Sequence, residues 1–519
     1  MPASETSSLL GDYHRIGGVT TPRSSFSSGD ATTPRSPFDT GFPMMFNSPI
    51  PSPRPHRLSF AYTKDDSHRG LHVFLTLLMS VVGAGMLSVP YTFILSATWQ
   101  TITAILIVGF SMAFTATALL NTHVFLSQEV ESVHHVGAGK RFSSFQSIAI
   151  IAGGNVFGYV VSVVTAIGIY GGCVGCIRII RDISPFLISE LYSAAIHPTE
   201  KLGTSTSFRA ADYLLWATFI FVVFPLCLLK NLSGLRVSSY LGFAFSIYLV
   251  IAIIYRSYHA LDVSDALDSN AIPASNATDV VANNNADVVN TVILGSPFAR
   301  YTQTVSIYNY AFMMHLNLLP LFIQLRGSFG EPLQKSRQRM SSYIANVSVF
   351  CIFLYIVFGI FAKKLYQYTI RGNILLNLEN DPVMEIPLIA VFVTVIVGFP
   401  LLFHPLRSVI EELIYTTSVN EIAFATRLGG TSVLLLSQLL IAIAVPGIEV
   451  VFAFTGASSC LMICFVFPAA LYTQLFPWRT ARGGKMWVFA LWTIVAFFTV
   501  ISAVATWFLL VDLRREKAA

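Results

Sequence analysis

The stretch Met79-Ser80-Val81-Val82-Gly83-Ala84-Gly85-Met86-Leu87-Ser88-Val89-Pro90 lies inside an otherwise apolar run, 71–95. The run is long enough to cross a bilayer as a helix, which takes about 20 apolar residues. Its middle, however, is poor helix material. Glycine leaves the backbone unrestrained, and proline lacks an N–H and clashes with the preceding turn. Two readings follow. The small residues form a close packing face beside a proline kink, or the helix is interrupted there. In lipid an interrupted backbone survives only where it is buried in protein or lines a cavity. Interruptions of that kind can offer amides and carbonyls to a solute at mid-membrane.

Ten further apolar runs follow the first, at 98–126, 153–183, 211–229, 237–256, 302–325, 341–362, 384–405, 428–447, 449–474 and 485–511. They are continuous rather than alternating, so they read as helices and not as barrel strands. The expected fold is an all-α polytopic membrane protein of about eleven transmembrane helices, filling 69–512. Composition agrees. Only 11% of the 519 residues are charged and 54% are hydrophobic, against roughly 25% charged in soluble domains. Mean hydropathy is +0.65. Such a chain cannot cover a water-facing surface, so its partner is the lipid bilayer. The net charge of +5 comes from residues scattered over many loops, which argues against a nucleic-acid stripe and instead encodes orientation.

With the N-terminus cytosolic, the loops on that side collect Arg54, Arg57, Lys64, Arg69, Lys140, Arg141, Lys230, Arg236, Lys335, Arg337, Arg339, Arg479 and Lys485. The largest loop of the other face, 257–300, is acidic and holds a well-placed glycosylation sequon at Asn276. The end of the chain, Arg514-Arg515, falls on the side that the charge rule disfavours. The first 68 residues, rich in Ser, Thr, Pro and Gly, read as a disordered cytosolic tail with no cleavable signal peptide. Two copies of Thr-Thr-Pro-Arg-Ser, at 20–24 and 32–36, suit proline-directed phosphorylation or a plain tether. Glu5 four positions before Leu9-Leu10 resembles a dileucine sorting signal. Such a signal implies a sorting adaptor and an endosomal, lysosomal or vacuolar membrane, with the plasma membrane as the alternative.

All six cysteines fall inside apolar runs. Cys173 and Cys176 form a CxxC pair among Gly171, Gly172 and Gly175, without a second pair or a histidine nearby. The reading is a small-residue packing face and not a metal site. No catalytic cluster or cofactor motif is present, so neither an enzyme nor a cofactor is expected.

The sixth run mirrors the first. In Tyr308-Asn309-Tyr310-Ala311-Phe312-Met313-Met314-His315-Leu316-Asn317-Leu318-Leu319-Pro320, an imidazole, an amide and a proline stand at mid-run. Burying such groups is costly unless they are satisfied, so they are functional or paired. Matching breaks in two halves of a chain point to a solute site between inverted repeats. Candidate solute-binding residues are therefore Val82, Gly83, Ala84, Gly85, Met86, Tyr310, Met314, His315 and Asn317.

The run Val82 to Tyr91 resembles the first-helix signature of the amino acid/auxin permease family, and Ala311 to Leu325 resembles its sixth helix. Gly398-Phe399-Pro400-Leu401-Leu402-Phe403-His404-Pro405 is similar to the eighth, and Pro446 to Ser459 to the tenth. The resemblance covers about 65–510. It implies eleven helices, a five-plus-five inverted repeat of the LeuT type, and proton- or sodium-coupled transport of amino acids by alternating access.

Sodium-coupled members of that family carry an Asn four positions before the first glycine. Here that position is Met79, whose thioether is a poor ligand for a hard cation. Ser80 and Thr394 are the remaining ion-site candidates, and the eighth run offers no other mid-membrane hydroxyl. No Asp or Glu falls clearly inside a run, so His315 is the proton-coupling candidate, with holding the broken helix as its alternative role. Arg178, Arg181 and Asp182 close the third run as an internal ion pair, and Lys363 and Lys364 reach for the far interface. The expected activity is secondary active transport of a neutral amino acid, coupled to protons rather than sodium. The alternatives are a sodium-coupled symporter or a transporter-like amino acid sensor.

Overall fold

In the computed structural model, residues 62–133, 145–195, 212–228, 236–268, 296–326, 332–378, 385–414, 424–481 and 483–518 are described, and the regular elements among them are all helical. They run α1 (Tyr62–Val81), α2 (Val89–Leu95), α3 (Thr98–Val133), α4 (Phe145–Ala195), α5 (Asp212–Leu228), α6 (Arg236–Asp268) and α7 (Pro297–Ala311). After these come α8 (His315–Arg326), α9 (Leu333–Tyr366), α10 (Glu385–Ile414), α11 (Phe424–Ala444), α12 (Ile448–Ala457), α13 (Phe467–Leu475) and α14 (Gly484–Ala518).

Among the described residues, nine helical stretches are long and apolar enough to cross a membrane. The eleven runs read from the sequence add two more. The fourth, α5, is apolar but shorter. The sixth is split into α7 and α8, so neither half is long enough by itself. Boundaries shift at several helix ends. α1 begins at Tyr62, inside the segment read as tail, and α6 continues to Asp268, inside the segment read as loop. Asn276, Glu5, Leu9 and Leu10 lie outside the described residues.

Local chemistry explains the interruptions. Residues Phe219–Val223 and Met462–Val466 form widened π-turns, each directly before a Phe-Pro step, Phe224-Pro225 and Phe467-Pro468. A proline has no N–H for the helix ladder, and a widened turn reroutes the bonding around it. α4 is sharply kinked at Gly153-Gly154, where Gly154 has φ 75° and ψ −173°. Only glycine reaches that conformation without cost.

Bulky apolar side chains such as Phe221, Val156, Phe489 and Trp507 face outward, as lipid-facing surface requires. Inside, α4 lies close against α12 and the chain that follows it. A Cβ on Gly175 would stand 2.5 Å from the Phe452 ring, and one on Gly168 would stand 3.0 Å from Ile463. Gly171 leaves room for Thr455 in the same way. This is the packing face read from the glycines around Cys173 and Cys176. All six cysteines are free thiols; five are buried and Cys176 is half-buried.

Candidate functional site

The two predicted breaks are real and they meet. α1 ends at Val81. Residues 82 and 83 leave helical geometry, and Ala84–Ser88 form a tight 3-10 segment before α2 starts with Pro90 in its first turn. Gly83 has φ −119° and ψ −152°, an extended conformation, and its N–H turns back to Val81 O at 2.9 Å. α7 stops at Ala311, the chain passes through Phe312–Met314, and α8 restarts at His315. A Cβ on Gly85 would lie 2.9 Å from Ala311 Cα and 3.2 Å from the Tyr310 ring. The absence of a side chain at residue 85 therefore sets the distance between the breaks.

Of the residues proposed from the sequence, Gly85 and Tyr310 form this contact, and His315 opens the helix that follows the second break. Val82, Met86 and Met314 are buried, whereas Gly83 is exposed and Ala84 and Asn317 are half-buried. Tyr310 stacks on Phe452 of α12, with centroids 4.3 Å apart and planes within 11°. α12 thereby forms a third wall.

His315 is fully buried at the N-terminus of α8. Its Nε2 lies 3.1 Å from Thr115 Oγ1 of α3, and its Nδ1 is buried without a partner. Thr115 also reaches Ser111 O at 3.0 Å and Met112 O at 3.2 Å. With the Thr115 hydroxyl proton on a carbonyl, Nε2 of His315 carries the ring hydrogen and Nδ1 is a bare acceptor; with it on Nε2, the ring hydrogen sits on Nδ1.

α2 and α7 are tied by a ladder of hydroxyls. Thr92 bonds Tyr308, and Ser96 meets Thr304 at 3.2 Å. Lys363 Nζ donates to Phe93 O at 2.8 Å and to Thr98 Oγ1 at 2.9 Å. It thus satisfies a carbonyl at the end of α2 rather than only reaching for the interface, while Lys364 lies over the Tyr258 ring. From α9, the Tyr355 hydroxyl lies 3.0 Å from Val81 O and 3.1 Å from Ala311 O.

The ion-site candidates are not joined to one another by a hydrogen bond. The Ser80 hydroxyl donates to Leu77 O of its own helix at 2.7 Å. Thr394 packs its methyl group against α6, where a Cβ on Gly242 would stand 2.5 Å away, and its buried hydroxyl has no partner.

Two polar clusters close the ends of the bundle. At one end Arg178 pairs with Asp182 at 3.0 Å and donates to Val445 O and Pro446 O, while Arg181 donates to Ile443 O. Asn373 donates to Asp182 at 3.1 Å. The internal pair expected here is present, and its arginines also satisfy carbonyls at and just beyond the end of α11. At the other end Arg407 and Arg427 flank Glu411 at 3.6 Å and 3.8 Å, and Arg407 donates to Cys227 O at 2.8 Å. Glu411 and Asp182 are each 7% exposed inside long helices. The expectation that no acid lies within a span is therefore corrected: α10 continues past the run read as ending at 405. The described residues contain no group of His, Cys, Asp and Glu fit to hold a metal.

Comparison with known proteins adds a separate line. The family model described as transmembrane amino acid transporter protein matches residues 70–511. The sodium-coupled neutral amino acid symporter 2 of Danio rerio is 24% identical over 302 residues, covering 57% of each chain. Solute carrier family 38 member 10 of Mus musculus is 22% identical over 345 residues, 64% of this chain and 28% of the mouse protein. The match thus spans little more than half the length of one relative and less than a third of the other.

Proposed function

Because this chain belongs to the transmembrane amino acid transporter family, we propose that it carries a neutral amino acid across its membrane by alternating access, coupled to protons. The single observation behind this reading is the meeting of the two breaks, where Gly85 rests on Ala311 beneath Tyr310. A free amino acid has an anionic and a cationic end. The N-terminal, positive end of the α8 dipole suits a carboxylate, and the carbonyl ends of α1 and α7 suit an ammonium. The residues quoted for the two breaks include no acid, so the site offers no extra anchor for a cationic side chain.

His315 couples protons in this reading. An imidazolium has two N–H donors. Thr115 serves Nε2, and a proton on Nδ1 would be stranded in a buried site unless an anionic group arrives to accept it. Substrate carboxylate and proton then enter together. Sodium coupling, named in the zebrafish relative, is the second reading. Met79 and the committed hydroxyl of Ser80 weigh against it. A cytosolic N-terminus and an endosomal, lysosomal or vacuolar membrane complete the proposal, since a proton gradient is available across such membranes.

The test is uptake of labelled amino acids into proteoliposomes under an imposed pH gradient, a sodium gradient, or neither. The proposal requires accumulation driven by the pH gradient alone and abolished in His315→Ala. Accumulation driven by sodium would overturn the coupling, and binding without uptake would turn the protein into a sensor.

A further inference from the structure

Tyr355 is fully buried in α9, and its hydroxyl faces Val81 O and Ala311 O. These are the last carbonyls of α1 and α7, separated from Tyr355 by 274 and 44 positions along the chain. Helix ends leave their final carbonyls without intrahelical donors, and at membrane depth bulk water does not supply them. The ring is held edge-on by Phe312, with centroids 5.0 Å apart and planes at 69°. It cannot swing away without opening the bundle.

A phenol has one proton. It cannot serve two carbonyls fully at once, and the two distances, 3.0 Å and 3.1 Å, show it divided between them. The demands are unequal. Val81 O also accepts from Gly83 N–H at 2.9 Å, whereas Ala311 faces Gly85 across the contact between the breaks. Two carbonyl ends of like polarity repel unless a positive group lies between them. The hydroxyl proton is that group here.

We propose that Tyr355 is a positioning residue of the solute site: its single shared proton holds the carbonyl ends of the two broken helices in register and so sets the affinity for the carried solute. The proposal rests on the transport reading above. Tyr355 touches the ends of both breaks and acts through them.

The experiment compares wild type, Tyr355→Phe and Tyr355→4-aminophenylalanine, the last introduced by an expanded genetic code. The aniline keeps the ring and carries two N–H donors, one for each carbonyl. Uptake kinetics in proteoliposomes are read beside hydrogen–deuterium exchange of peptides spanning 79–86 and 309–317. In Tyr355→Phe, KM rises at least tenfold with Vmax within threefold, and exchange accelerates at both breaks while α3 is unchanged. In the aniline variant, KM returns to the wild-type value or below and Vmax falls at least threefold, because ends tied twice separate more slowly. A Phe variant within twofold of wild-type KM, acceleration at one break alone, or an aniline variant that behaves like Phe would each overturn the proposal. Should the Phe variant fail to fold, the aniline variant decides by the same KM and Vmax criteria. Should wild type show no uptake, the transport reading fails while the exchange data still decide whether Tyr355 ties both breaks.

Discussion

Replacing Gly85 by alanine probes the contact on which the site depends. The new Cβ would lie 2.9 Å from Ala311 Cα, against 3.4 Å or more for ordinary contact. The two breaks must therefore separate by about 0.5 Å or more at this point. The obstruction is backbone, which cannot rotate out of the way as a side-chain tip would. Overpacking of this kind costs about 1–3 kcal/mol, so a modest fall in melting temperature accompanies it. Function suffers more, because binding constellations tolerate misplacement of roughly 0.5 Å and a 1 Å error costs about 100-fold. Initial uptake in proteoliposomes should fall between about 10- and 100-fold. Gly430→Ala is the control. A Cβ there meets nothing within 4 Å, so its uptake should stay within twofold of wild type. Gly85→Ala transporting within twofold of wild type, with a comparable melting temperature, would refute the idea that close approach at residue 85 sets the site.

Thr115→Val removes the partner of His315 Nε2 while keeping the shape of the side chain. The imidazole then has two unsatisfied nitrogens in a buried site, so pH-driven uptake should drop at least tenfold with little change in solute binding by thermal shift. Equal losses in both would point to a packing defect. Glu411→Gln leaves Arg407 and Arg427 facing each other without the intervening carboxylate. Losing one partner of such a buried cluster costs about 3 kcal/mol. The second substitution Arg427→Gln should recover part of that loss in thermal-inactivation rates, and no recovery would show that Glu411 is not what holds the arginines.

Hydropathy and helix-breaking residues made much of this molecule legible in advance. The runs around Gly83 and His315 located both breaks, and the Gly-rich neighbourhood of Cys173 announced a close helix contact. What stayed hidden was pairwise. Thr115 and Tyr355 look like ordinary residues of apolar runs, because their partners lie 200 and 274 positions away. Glu411 was hidden for another reason. An acid normally ends a membrane span, but the helix continues here because two arginines neutralise it within the bundle. Lys363 showed the same limit: its length suggested reaching for an interface, while its charge is used on the end of a short helix.

The arrangement of the cysteines bears on how the protein could be watched at work. Five of the six thiols are buried and Cys176 is only half-buried, so the native chain offers water-soluble maleimides little to react with. A cysteine placed at Gly83, the exposed residue of the first break, would stand out against that quiet background. Its rate of alkylation from either side of the membrane would report, in real time, which face the solute pathway is open to.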